Sequence, residues 1–242
     1  MDWLYSKPMS FYTQFAETYE AIFPFSGTVY DFLRRHLPEP PARVLDVGCG
    51  TGHYAGALAA DGYDALGVDL DAAMIAYARS HYPAATFQVM NMVDIAGLEG
   101  PFAGVACIGN TAAHLNQDEF AAFIDAVARI RIPGAPWILQ VMNWDYVLTQ
   151  TEFALPVIEG EGGVTFYRVY REISASQVTF ATRLEDGGQI LFEDAVLLYP
   201  LRSEQIVACH EERGFELVRH VGSYDGAPWV PDRFSASIFV FR

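Results

Sequence analysis

The sequence predicts an α/β fold, a doubly wound sheet of parallel strands with helices on both faces. Short apolar runs alternate with helical periodicity from about residue 43 to 142, the βαβα pattern of such a sheet. Several runs are too uniformly apolar for strands with one wet face, as expected of parallel strands covered on both sides. Between the first strand and the first helix of that region, VLDVGCGTGHYAGAL at residues 44–58 carries glycines at every second position: Gly48, Gly50 and Gly52.

In chain order, residues 11–37 read as helical and stop before the break PEPP at 38–41. Strands follow at Arg43–Val47, 65–69, Thr86–Val89, 102–108 and 136–142. Helices fall at 51–60, closed by Gly62; at 72–80, after Asp71 as N-cap; and at Gln117–Ile130, after Asn116 with Glu119 in a capping-box arrangement. Residues 164–199 alternate apolar and polar in VTFYRVYREI, VTFATRLE and ILFEDAVLLY, and EDGG at 185–188 turns the last two into a hairpin. A helix at 203–213 stops at Gly214, and strands at 215–221 and 237–241 finish the sheet. The whole is read as one domain, 1–242, with an N-terminal helical cap over about 1–40 and an antiparallel β insertion over about 150–200.

The chain has 242 residues, 52% hydrophobic and 19% charged, which fits one folded domain with a sizeable core. A formal charge of −15 repels polyanions, so neither nucleic acid nor an anionic membrane surface is an expected partner. Small neutral or cationic molecules are compatible with it. Cys49, Cys107 and Cys209 match no zinc spacing, and no metal set is read from the sequence. The segment MDWLYSKPMS lacks a basic region followed by an apolar stretch, and no apolar run has bilayer length; a reduced, cytoplasmic location is expected. No oligomeric state is specified.

Glycine permits φ > 0 and lets a ligand touch the main chain, and ligands of doubly wound folds bind at the carboxyl edge of the sheet. Gly50, Gly52 and Ala55 alone fit the loose dinucleotide pattern G-x-G-x-x-A. Gly48 opens the loop earlier, however, and Asp46 would repel a pyrophosphate while favouring an ammonium group. Asp69 ends the second strand, where a carboxylate can accept both hydroxyls of a ribose. A ribose, a cationic part and no phosphate contacts are the features of S-adenosylmethionine.

VLDVGCGTG followed by GVDLDAAM resembles motif I and the following acidic motif of class I S-adenosylmethionine-dependent methyltransferases, a likeness running from about residue 11 to the end. The resemblance implies a Rossmann-like seven-stranded sheet whose C-terminal strand is reversed. It implies that Asp46, Gly48, Gly50 and Gly52 cradle the methionine part of the cofactor, that Asp69 holds the ribose, and that Leu70 and Met74 pack near the adenine. In VMNMVD, Asn91 stands where the family has an acid that accepts from the adenine amino group; the other alignment puts Asp94 there. Met92 would offer its N–H and side chain to the ring.

On the acceptor side, CIGNTAAHL at 107–115 and VMNWDYVL at 141–148 resemble glycine N-methyltransferase and its sarcosine-methylating relatives. This implies that the Gly109 carbonyl approaches the cofactor ammonium, that Asn110 faces the acceptor, and that His114 either positions or deprotonates it or braces the next helix. An arginine precedes the Asn of the second segment in those enzymes; here Met142 precedes Asn143, and a thioether cannot pair with a carboxylate. An amine or a more apolar acceptor is then expected, unless Arg168 or Arg171 of the insertion supplies the charge. Met142 and Asn143 are expected at the acceptor wall under that insertion, with Tyr12, Tyr19, Tyr224 and Trp229 as further candidates. The expected activity is methyl transfer from S-adenosylmethionine to a small molecule at an amine nitrogen, releasing S-adenosylhomocysteine. The alternatives are transfer to a hydroxyl, a cofactor-binding module without turnover, and an NAD-dependent oxidoreductase.

Overall fold

A computed structural model describes residues 19–160 and 163–242. Helix α1, Tyr19–Ile22, and helix α2, Gly27–His36, are separate. The sequence pattern reads them as one helix, but Pro24 lacks the N–H that the next turn needs. Ser26 then restarts the helix as N-cap of α2. Strand β1, Arg43–Val47, leads to α3, His53–Ala60; β2, Asp64–Asp69, to α4, Ala72–His81; and β3, Thr86–Val89, to a 3₁₀ segment, Met92–Gly97. Strand β4, Gly104–Cys107, is followed by a 3₁₀ turn, Thr111–His114, and by α5, Gln117–Ile130. The capping box of α5 forms as read: Asn116 Oδ1 accepts from the N–H groups of Asp118 and Glu119, both at 3.0 Å, and Glu119 accepts from Asn116 N–H at 2.9 Å.

Strand β5, Trp137–Met142, precedes a short helix α6, Trp144–Val147. Strands β6 (Phe153–Ala154), β7 (Ile158–Glu159), β8 (Val164–Arg171), β9 (Val178–Asp186) and β10 (Gln189–Leu198) form a separate antiparallel sheet. Helix α7, Ser203–Glu211, and strands β11, Leu217–Val221, and β12, Ala236–Phe241, complete the chain. The main sheet has seven strands in the order β11-β12-β5-β4-β1-β2-β3. Strands β1 to β5 run parallel, and β12 is reversed against both β5 and β11.

Alternate residues of β5 show how both faces are covered. Trp137, Leu139 and Val141 pack with Phe120, Phe123, Ile124 and Val127 of α5. Ile138 points the other way, into a cluster with Phe32 and Leu33 of α2 and Leu58 of α3. Each such side chain contributes about 1.5–3 kcal/mol by leaving water. The second sheet packs on α1 through Phe166 and Leu184 against Ile22, with Tyr19 and Phe23 alongside. It is tied to the main sheet where Tyr199 N–H donates to the Ala113 carbonyl at 2.7 Å. Among the described residues, no helix is long and apolar enough to cross a membrane.

His210 is fully buried, accepting from Trp137 Nε1 at 2.8 Å and facing the Ile206 carbonyl through Nδ1 at 2.6 Å. That pair of contacts fixes a neutral ring with its proton on Nδ1. Burial lowers its pKa to about 4, and does the same for His114 and His220. An unfolded chain protonates these rings near pH 6.5, so stability is fully present above that value and is lost as pH falls towards 4. A buried carboxyl, Asp46, its pKa raised to about 7, works in the opposite sense over this window but offsets only part of the three rings' effect, so urea midpoints should still decline between pH 6.5 and 4. A flat profile would contradict the burial of the rings.

Candidate functional site

A cavity of about 470 Å³ opens at the carboxyl ends of the central strands, floored by Asp46 and Val47 of β1 and Val68 and Asp69 of β2. This is the switch point of the sheet, between β1 and β4, where the chain leaves in opposite directions. After β1 the backbone turns through Gly48–Gly52. The N–H groups of Gly48 and Cys49 both donate to the Val68 carbonyl, at 2.7 and 3.0 Å, which pins the loop to β2. Gly50 N–H donates to Asp69 Oδ2 at 2.8 Å, while Asp69 Oδ1 accepts from Asp71 N–H at 2.9 Å. One carboxylate thus fixes both the glycine loop and the entry to α4, and each of its oxygens keeps a lone pair for a ligand. Burial raises the Asp69 pKa, and these two N–H groups hold it back.

Asp46 is different. It is 6% exposed, and among the described residues its carboxylate receives no hydrogen bond. Burial, with the nearby charge of Asp69, pushes its pKa up to about 7. A buried carboxylate without a donor is costly, and a cationic group in the cavity would relieve it. The fit to a ligand that pairs a ribose with an ammonium group rests on this observation.

Next to Asp69, Leu70 is 52% exposed although it lines the cavity, an apolar surface suited to a flat ring. Met74, Asn91 and Met92 stand on the same side. Asn91 Oδ1 caps the following 3₁₀ segment through Val93 N–H at 3.3 Å, and its remaining amide capacity is open to a ligand. Asp94 is exposed and does not line the cavity.

On the far side, Gln140 is the one polar residue of the buried strand WILQVM. Its Oε1 accepts from Gly109 N–H at 2.7 Å and Asn110 N–H at 3.3 Å, and lies 3.5 Å from the Tyr224 hydroxyl. It therefore sets the direction of the Gly109 peptide at the cavity wall. The pattern reading passed over Gln140, although a lone amide in an apolar strand is a signal of such a bracket. His53 and Tyr54, at the start of α3, also line the cavity. They follow the glycine loop directly, so position alone could have found them.

Several expected site residues serve the scaffold instead. Gly52 does not line the cavity; a Cβ there would come within 2.6 Å of the Phe87 ring and 2.8 Å of Ala78, at φ +84°. Asn110 holds a left-handed turn at φ 64°, and its Oδ1 accepts from Met142 N–H at 2.9 Å. Neither Asn110 nor Met142 lines the cavity. Asn143 is fully buried, donating to the Val230 and Arg233 carbonyls at 2.8 Å each and capping α6. Trp229 stacks on His220 at 4.4 Å, outside the cavity. Tyr19, Tyr224 and His114 do line it, whereas Tyr12 lies outside the described residues. No described residue of the antiparallel sheet reaches the cavity; the sheet supports it from behind, through Ile22 and Phe23. Among the described residues, no three His, Cys, Asp or Glu side chains converge as a metal ion would require.

Residues 44–134 match the methyltransferase domain family. The chain is 32% identical over 136 residues to ubiquinone biosynthesis O-methyltransferase of Xylella fastidiosa, covering 54% of this chain and 52% of that protein. It thus spans about half the length of that curated relative. It is 30% identical over 181 residues to dTDP-3-amino-3,6-dideoxy-alpha-D-glucopyranose N,N-dimethyltransferase of Streptomyces fradiae, covering 71% of this chain and 69% of that one. The fold is shared with an S-adenosylmethionine-dependent methyltransferase from Clostridium acetobutylicum at TM-score 0.78 and 16% identity, over 96% and 98% of the two chains.

The glycine and acid positions separate by experiment. Gly52→Ala is expected to cost about 1–3 kcal/mol of stability, from strain at positive φ and overpacking, seen as a lower urea midpoint. Asp69→Ala is expected to weaken S-adenosylhomocysteine binding at least ~10-fold by calorimetry, since it removes a charged acceptor. Equal binding by the Asp69 variant would contradict the site.

Proposed function

The chain belongs to the S-adenosylmethionine-dependent methyltransferases, and on that premise we propose that it methylates a small molecule at an amine nitrogen. In this reading Asp69 accepts from the ribose hydroxyls, and Asp46 receives the ammonium group of the methionine part, opposite the Gly109 carbonyl. Gly48 and Gly50 give the main chain close approach, and Leu70, Met74, Asn91 and Met92 hold the adenine. The cofactor, when bound, supplies a methyl group already activated on a positive sulfur.

The chain's own task is then placement. Holding a lone pair in line with the methyl at near-contact distance can lower a barrier by up to ~7–11 kcal/mol. Gln140 fixes the Gly109 wall, and Tyr19, Tyr54 and Tyr224 line the same cavity as Asp46. His114 stays neutral at pH 7 because burial lowers its pKa to about 4. It can accept a hydrogen bond from an amine N–H and orient the nitrogen without carrying charge. An amine entering these walls is also favoured in its neutral, nucleophilic form by desolvation.

The choice of nitrogen rests on a single observation: among the described residues, no cavity side chain away from the cofactor acids is tuned to ionise a hydroxyl. Burial pushes the Tyr19, Tyr54 and Tyr224 phenols up and the His53 and His114 imidazoles down. A hydroxyl acceptor needs a stronger base than an amine does. The likeness to a ubiquinone-pathway O-methyltransferase supports oxygen as a second reading.

Release of S-adenosylhomocysteine from S-adenosylmethionine, followed with small amines and with matched alcohols and phenols, decides between them. Turnover of amines with little or none of the hydroxyl partners is expected. Turnover confined to hydroxyl compounds would reverse the assignment, and none with any acceptor, despite cofactor binding, would favour a binding module.

A further inference from the structure

The acceptor side of the cavity has an unusual charge balance. The two acids of the cavity, Asp46 and Asp69, are taken by the cofactor in the reading above, and among the described residues no lysine or arginine lines the cavity. A cation does stand behind its apolar wall: Arg168, at the centre of β8. Its guanidinium carbon lies 5.7 Å from the centroid of the Phe23 ring and 5.8 Å from that of Phe166. Phe23 lines the cavity and Arg168 does not. The guanidinium is held back by a bond from Nη2 to the Pro156 carbonyl at 2.9 Å, while its Nε is buried without a hydrogen-bond partner. Arg171, the other candidate of that strand, is paired with Glu152 at 3.6 Å on the surface.

We propose that Phe23 sets the acceptor's charge class: its ring screens the Arg168 guanidinium from the cavity, so the acceptor is an amine on an apolar body that bears no carboxylate or phosphate. This rests on the amine reading above and narrows it. A carboxylate brought against Ile22, Phe23, Pro24 and Val29 would leave water for an apolar wall, with no cation among the described residues of the cavity to pair with. An amine meets the opposite situation. The rings of Tyr19 and Tyr54, which line the cavity, suit the positive charge that grows on nitrogen, and the chain's net charge of −15 draws cations in.

The test uses matched pairs that differ only in the anionic group: phenethylamine with phenylalanine, tryptamine with tryptophan, and ethanolamine with phosphoethanolamine. S-adenosylhomocysteine release is measured with the full chain, and cofactor binding is measured in parallel. Wild type should favour the uncharged-body amine of a pair by on the order of 100-fold in kcat/KM, the scale on which a site rejects a buried group it cannot pair. Phe23→Ala should shrink that gap by about tenfold or more, through a lower KM for the anionic partner, because it uncovers Arg168. The double variant Phe23→Ala/Arg168→Met should restore the gap, and Arg168→Met alone should leave the amines unaffected. Equal or better use of the anionic partner by wild type, lost in Arg168→Met, would overturn the proposal while leaving amine methylation standing. So would a gap that Phe23→Ala does not move. No turnover of any amine, with S-adenosylhomocysteine still bound, would overturn the amine reading and this inference with it.

Discussion

Two carboxylates at neighbouring strand ends, one buried and one half-buried, are the constraint around which this structure is organised. Asp46 and Asp69 lie on β1 and β2, which pair in parallel register with Asp46 opposite Gly67. Like charges placed so close in a low-dielectric setting raise each other's cost, and an apo protein can relieve that only by protonation or by supplying donors. Asp69 is supplied with two N–H groups by the glycine loop and the start of α4. Asp46 is supplied with none among the described residues. On the proposed reading, a cationic ligand with a ribose would complete what the chain leaves undone at one acid and would use the lone pairs of the other.

The rest of the fold holds this arrangement still. Parallel strands bring four chain reversals to one edge, and the two apolar clusters on either face lock the strand ends in place. Gly52 shows how close the packing comes: the residue that seems made for a ligand is instead made for the Phe87 ring. Gln140 carries the same logic to the acceptor side, where one buried amide oxygen gathers two N–H groups of the loop after β4. The antiparallel sheet acts at one remove. It positions Ile22 and Phe23, and those side chains, not its own, face the cavity.

Much of this was legible in the residues. Uniform apolar runs identify parallel strands because both of their faces must be dry, and the alternating pattern of 164–199 identifies a sheet with a wet face for the opposite reason. The spacing of Asp46, Gly48, Gly50 and Asp69 places them around one cavity, because backbone geometry at a strand-to-helix turn depends on local sequence. The acceptor side was less legible. Asn110 and Asn143 are polar residues beside the right strand ends, yet their bonding capacity is directed at Met142, Val230 and Arg233, partners remote in sequence. The helical pattern read through Pro24, and the position of Phe23, beside both the cavity and Arg168, depends on a sheet that begins more than a hundred residues later.

The central claim is that Asp46 waits, largely protonated below neutrality, for a cation. Calorimetry of S-adenosylhomocysteine binding at pH 6, repeated in buffers of different ionisation enthalpy, counts the protons exchanged. A release approaching one proton by the wild-type chain, absent from Asp46→Asn, is the predicted result. Binding without proton release, or the same release from both proteins, would contradict the account.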